Sequence, residues 1–412
     1  MLDVSFLLTL VATMSTADPT ETDLLTLGSG AIIITAPPKA ERAALVALDG
    51  DPRTVSIGEP ATEPLPLEFV VELPAETTFT RFEIPEASTT GTVRGRHIAT
   101  VRVEGSSVSP HKDFELLVEA RLDPDSAGRQ RFTVTKALAA RWVRVTFVDR
   151  LAAPRRGNDP HHFSELEGYG TQAPIANGTA RFAGRWRYRK LGVNDMPSGD
   201  VIAITQRGSE VIGCERREGR VARVTGHVEG GLAWMLSEDA EGKRRPFTAV
   251  IADTGELAGV AFDGAAQPYY AAPDPTLRSP CTEEPSANPI ADDLGKGRNA
   301  VLFGVHFDVD TDALLPEAKP ALEQILRALK QHPELRVSIV GHMDAAGAAS
   351  FLLDLSERRA QVVASWLTDR GVDVRRLEPV GRGGAEPIAD NATSAGRALN
   401  QRIEIAPIAA TR

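Results

Sequence analysis

Val337-Ser338-Ile339-Val340-Gly341-His342-Met343-Asp344 opens as an apolar, β-branched run and ends in glycine and polar groups. Such a run reads as a buried strand whose carboxyl end opens into a loop. Leu355-Ser356-Glu357-Arg358-Arg359-Ala360 follows it. With Val362, Val363, Trp366 and Leu367 turned inward, it predicts a helix over residues 355–369, stopped by Gly371. Side chains at the carboxyl end of a strand and on the next helix converge around ligands in α/β sheets. The order therefore sets an anion, Asp344, near a cation, Arg359. That pair suits a zwitterion, because a guanidinium fork takes a carboxylate through two hydrogen bonds while a carboxylate takes an ammonium. Arg358 lies about 100° further round the helix and is expected in solvent.

The flanking segments continue the alternation. Residues 301–307 read as a strand. Pro316 then opens a helix with a stripe of Ala318, Ala321, Leu322, Ile325, Leu326 and Leu329. Residues 377–381 and 402–405 supply further strands. The β-α-β-α-β order predicts an α/β domain, residues 299–412, with helices packed on one mixed sheet.

This segment resembles the OmpA C-terminal (Pal/MotB-like) peptidoglycan-binding family. The resemblance rests on Phe307-Asp308, on Gly341-His342-Met343-Asp344-Ala345-Ala346-Gly347 and on Leu355-Ser356-Glu357-Arg358-Arg359-Ala360. It continues through Gly381-Arg382-Gly383, Pro387 and Gly396-Arg397-Ala398-Leu399-Asn400-Gln401-Arg402-Ile403-Glu404-Ile405. It implies that Asp344 meets the ammonium of diaminopimelate in the peptidoglycan stem and Arg359 its carboxylate, with Asp310 and Gln401 as further ligand-binding residues. The chain departs from the family at Met343, Leu352 and Gln401, where threonine, asparagine and arginine are usual. Each departure is expected to remove a polar or charged contact at the pocket rim.

Upstream the period changes to that of strands. Residues 67–73 and 141–147 alternate, and no long helical stripe interrupts residues 25–172. A β-sandwich over residues 20–175 follows. Leu48-Asp49-Gly50-Asp51-Pro52-Arg53-Thr54 and Ser164-Glu165-Leu166-Glu167-Gly168-Tyr169-Gly170 resemble the early turn and closing strand of discoidin (F5/8 type C, galactose-binding-like) domains. That resemblance implies a structural calcium ion held by Asp49, Asp51, Thr54 and Glu165, oxygen ligands suited to it. Ser56 stands where those domains usually carry tryptophan. Residues 178–268 hold short strands with recurrent glycines, the pattern of an antiparallel β-barrel or meander. Trp186 in Gly184-Arg185-Trp186 is read as a core plug. Residues 270–298, rich in Pro and Ala, read as a linker. The expectation is thus a multidomain, β-rich chain ending in an α/β domain.

Composition narrows the function classes. With 412 residues the chain exceeds one ordinary core. Its net charge of −10 argues against nucleic-acid partners and against adhesion to anionic membranes. Residues 4–14 form an apolar run about half as long as a bilayer span, followed by Ser15-Thr16-Ala17, so residues 1–17 are expected to be a signal peptide. Asp3 is unusual in its leading part, and no cysteine follows for a lipid anchor. Two cysteines, Cys214 and Cys281, form an even pair in a protein expected to be exported, so a disulfide is predicted between them. There is no His-Glu-x-x-His and no Gly-x-Ser-x-Gly. His161 and His162 are neighbours in a loop, and Cys214 lacks a partner motif. The leading expectation is a non-enzymatic protein of the periplasm or outer-membrane-associated envelope, with the β-domains displayed for carbohydrate or envelope protein. The alternative is a glycan-directed enzyme or accessory that the C-terminal domain only localises.

Overall fold

The computed structural model describes residues 22–36, 44, 47–50, 56–57, 65–85, 97–123, 126, 128–151, 162–173, 182–189, 197–229, 231–252, 255–281, 288–308 and 310–408. The expected signal peptide, residues 1–17, lies outside them.

The chain is β-rich in three parts, as its sequence implies. The first holds β1 (Ile32–Thr35), β2 (Ser56–Ile57), β3 (Leu67–Ile84), β4 (Ile98–Ser106), β5 (Glu115–Arg121), β6 (Gln130–Thr133), β7 (Ala139–Arg150), β8 (His162–Phe163) and β9 (Glu167–Gln172). The two alternating stretches are cross-strand partners, with Leu67 opposite Phe147 and Phe69 opposite Val145. Seven strands form one sheet, joined through β3. Its register breaks between Glu72 and Thr77, and its second half takes β6 and β9 as partners. Phe69, Phe79, Phe82, Phe147 and Phe163 fill the core.

Eight antiparallel strands then close a barrel: β10 (Gly184–Arg189), β11 (Pro197–Arg207), β12 (Glu210–Arg217), β13 (Arg220–Glu229), β14 (Leu232–Asp239), β15 (Arg244–Ile251), β16 (Leu257–Asp263) and β17 (Ala265–Pro273). Trp186 is indeed a plug, buried among Ile202, Phe247 and Tyr269, with its indole N–H donating to Gly255 O at 2.9 Å. Successive strand residues face opposite sides. In β14, Ala233 and Met235 therefore enter the barrel interior, while Leu232, Trp234 and Leu236 point outward. Val250, Val260, Phe262 and Tyr270 join that outward apolar face. It is buried in a core shared with the first sheet and with Ala389, Ala395 and Leu399 near the C-terminus. Gly28 sits so close to Ala395 that a Cβ on it would lie 2.3 Å from the alanine's. The three parts are one packed body.

The third part has a mixed sheet in the order β18 (Ala300–Leu302), β21 (Ile403–Pro407), β19 (Val337–His342), β20 (Leu377–Gly383). Strands β19 and β20 are parallel; the other pairings are antiparallel. Helices α1 (Pro289–Gly295), α2 (Lys319–Gln331), α3 (Ala349–Thr368) and α4 (Ser394–Asn400) accompany it. Three details differ from the sequence reading. The strand expected over residues 301–307 ends at Leu302, because Phe303 leaves the sheet for the shared core and Gly304 turns at φ 82°. Helix α3 begins at Ala349 rather than 355, which adds Leu352 to its buried stripe. The expected linker over residues 270–298 contains the end of β17, Cys281 and α1. Asn288 caps α1 by accepting from Ala291 N at 3.2 Å, Pro289 fits its first turn, and Ile290 and Leu294 bury against the sheet and α2.

Ion pairs fasten the barrel to this domain: Arg223 with Asp293 at 2.7 Å, Arg327 with Glu210 at 3.2 Å and Arg244 with Glu404 at 3.4 Å. The predicted Cys214–Cys281 disulfide is present, with sulfurs 2.04 Å apart, and fixes the chain leaving β17 to the wall of β12.

Candidate functional site

Three segments meet at the carboxyl end of β19. The first is the loop carrying Asp344, the second is α3 carrying Arg359, and the third is Gln401 at the end of α4. Gly341 explains how the helix comes so near. A Cβ there would stand 2.1 Å from Ser356 O, so only glycine lets α3 lie directly on the strand. Ser356 Oγ then donates to Leu353 O and accepts from Gly383 N, tying the helix to β20.

Asp344 and Arg359 are 6% and 7% exposed. Asp344 Oδ1 accepts from Ala346 N at 3.1 Å, and Oδ2 accepts from the Gln401 amide at 3.0 Å. Arg359 Nε donates to Thr311 O at 2.9 Å, Nη2 to Asp308 O at 3.4 Å and Nη1 to Met343 Sδ at 3.3 Å. Its guanidinium stacks 4.8 Å from the Phe307 ring. No ion pair joins Arg359 or Asp344 to another charged group among the described residues. Burial pulls the Arg359 guanidinium below its usual range, while the fields of Asp310 and Asp344 oppose that shift. Asp310 is exposed, at a left-handed φ of 54°. Arg358 points outward as expected, pairing with Asp354 at 3.1 Å.

The three family departures are built in rather than missing at the rim. Met343, Leu352 and Leu355 form a small buried cluster beneath the site, so the apolar replacements at 343 and 352 pack together. Gln401 holds Asp344 with a neutral amide.

A cavity of about 130 Å³ adjoins Arg359 and Gln401, lined also by Trp234, Phe303, Phe307 and His342. His342 is 4% exposed, and neither ring nitrogen has a hydrogen-bond partner. Burial, and then the charge of Arg402, push it down to about 4, so the ring is neutral. Trp234 and His342 were not singled out as site residues from sequence. Trp234 carried no signal, since it belongs to a distant strand. His342 stood inside the motif without a role.

In the first part, Asp49 and Glu165 are buried side by side, and Glu165 Oε1 accepts from Gly50 N at 3.3 Å. Asp23 is a third buried carboxyl that sequence reading missed. It accepts from Leu25 N at 3.0 Å and from Gly168 N at 2.8 Å. Burial raises Glu165 well above the usual carboxyl range, with the charges of Asp49 and Asp23 adding to it. Asp51 and Thr54 lie outside the described residues. Among the described residues no group of three or more His, Cys, Asp or Glu side chains is arranged to hold a metal ion, so the calcium expectation finds no support there.

Residues 306–401 match the model of the OmpA family. Over 122 residues the chain is 40% identical to the peptidoglycan-binding protein ArfA of Mycobacterium tuberculosis, covering 29% of this chain and 37% of that one. It is 39% identical over 101 residues to the probable lipoprotein YiaD of Escherichia coli, 24% of this chain and 46% of that one. The chain thus spans less than half the length of either relative. Among solved structures, the cell wall anchor of the T6SS from Pseudomonas aeruginosa is 32% identical with a TM-score of 0.25, covering 29% of this chain and 94% of that one. No helix among the described residues is long and apolar enough to cross a membrane. Residues 306–401 of this chain are an OmpA family domain.

Proposed function

We propose that this is an exported cell-envelope protein that binds peptidoglycan non-covalently, without cleaving it, through residues 299–412. Asp344 takes the ammonium and Arg359 the carboxylate of diaminopimelate in the stem. The β-rich parts, residues 20–175 and 178–268, present surfaces for glycan or for another envelope protein. One observation carries the reading. Two opposite charges lie buried within each other's field, yet each is bound only by neutral groups: an amide and a peptide N–H for Asp344, carbonyls and a thioether for Arg359. Buried charges without counter-charges are costly, and a zwitterionic ligand supplies both at once. The ArfA relative is named a peptidoglycan-binding protein.

Co-sedimentation with purified diaminopimelate-type sacculi tests this. The full-length chain is expected to pellet with sacculi, and so is Arg358→Ala. Asp344→Ala and Arg359→Ala are expected to stay in the supernatant, because losing one partner of a desolvated charged contact costs about 2–5 kcal/mol. Binding at wild-type level by both variants, each shown to be folded, refutes the assignment, as does absence of binding by the wild type.

A further inference from the structure

The recess around Arg359 does not end with the OmpA family domain. The cavity beside Arg359 and Gln401 has a wall from another part of the molecule, the indole of Trp234 on barrel strand β14. Phe303 and Phe307 supply the other apolar sides. The polar side is His342, whose Nε2 lies 3.8 Å from the nearest acidic oxygen, on Glu404. A buried imidazole with two unmet nitrogens, lining this recess, calls for water or for ligand atoms.

The local chain path explains why Trp234 reaches so far. Trp234 points out of the barrel, opposite His227 on β13. Segment 303–307 lies flat over this pair. At Gly304 a Cβ would stand 2.6 Å from the His227 ring, and its left-handed φ of 82° independently favours glycine. His306 Nε2 reaches Glu229 at 2.6 Å and pins the segment to β13. The barrel and the domain are therefore held in one geometry around the cavity.

We propose that the wall-binding site is composite, with Trp234 of the barrel acting as a specificity-determining wall that packs against the methylene chain of the bound diaminopimelate. This rests on the reading of Asp344 and Arg359 given above. Diaminopimelate joins its two amino-acid centres by a short aliphatic chain, and a site that held only the charged end would leave that chain in water. An indole face beside the guanidinium removes it from solvent. The cavity, about 130 Å³, has room for methylenes beside the guanidinium.

The test uses the full-length chain and a soluble disaccharide peptide whose stem carries diaminopimelate. Affinity is measured by calorimetry, and tryptophan emission is followed in the same titration. Trp234→Ala is expected to weaken binding by about tenfold and Trp234→Phe by less, since a phenyl ring restores part of the wall. The emission change on binding is expected in the wild type and absent in Trp234→Phe, although that variant still binds. Should Trp234→Ala fail to fold, the affinity and emission of Trp234→Phe decide alone. Wild-type affinity in Trp234→Ala, or a full emission change in Trp234→Phe, overturns the composite site while leaving Asp344 and Arg359 in place. Loss of all binding by the wild-type chain overturns both.

Discussion

Replacing Asp23 with asparagine is expected to make the protein more stable at neutral pH, in a way that only a buried proton explains. Burial pushes the Asp23 carboxyl up from 3.8 to about 7, against the pull of the Gly168 and Leu25 N–H groups. The folded chain then binds this proton more tightly than the unfolded chain does. Stability from it is complete below about pH 3.8 and is lost as pH rises through 7. At ~1.36 kcal/mol per pH unit the loss is about 4 kcal/mol. That figure is a ceiling, because the field of Asp23 also raises its buried neighbour Glu165, so the two carboxyls do not titrate independently. Asparagine keeps the Oδ1 acceptor for both N–H donors and removes the charge. Urea unfolding at pH 4, 5.5, 7 and 8.5 reads the result. The variant should match or trail the wild type at pH 4, gain on it steadily as pH rises to about 7, and hold a constant advantage above that. A difference that does not change with pH refutes the reasoning. Added calcium is expected to leave the comparison unchanged at pH 8.5. If calcium stabilised the wild type but not Asp23→Asn, these carboxyls would be a metal site and not a proton store.

Reducing the Cys214–Cys281 disulfide opens a loop with a sequence separation of 67. It should cost about 4 kcal/mol in the chain-entropy model, seen as a lower urea midpoint with reductant; an unchanged midpoint contradicts this. Met343→Thr empties space beneath Arg359 and should cost about 1–3 kcal/mol, with a double-mutant cycle showing coupling to Leu352→Asn. Strictly additive effects would mean that these two side chains do not share packing. Gln401→Arg should weaken sacculus binding, because a guanidinium at that place neutralises Asp344 and competes with the ligand ammonium. Tighter binding by this variant would show that the neutral partner is a loss.

The charged pair was legible because its two motifs sit on consecutive elements, where order alone predicts convergence. The barrel was legible from alternation and from glycines at its turns. What the barrel packs against was not read, although a signal existed. Leu232-Ala233-Trp234-Met235-Leu236 and Leu257-Ala258-Gly259-Val260-Ala261-Phe262 are apolar on both faces, more than a barrel with a solvated exterior needs. Helix α3 was begun late because Ala348 offers no side-chain cap to mark its start. Asp23 was invisible in principle. Nothing in Asp23-Leu24-Leu25 distinguishes a surface aspartate from one sealed under Gly168.

The disulfide also decides how the molecule bears a load. Under the wall binding proposed above, the molecule is pulled through residues 299–412, downstream of β17. Strand β17 is the barrel's last, held by β10 on one edge and β16 on the other, and tension applied at Pro273 would load it from its very end. The staple at Cys281 delivers the pull to Cys214 instead, in the middle of β12, which is bonded along both edges to β11 and β13. Drawn along its length, a strand in that position yields only when many bonds break together. One covalent link thus moves the load from the end of a strand to the middle of one.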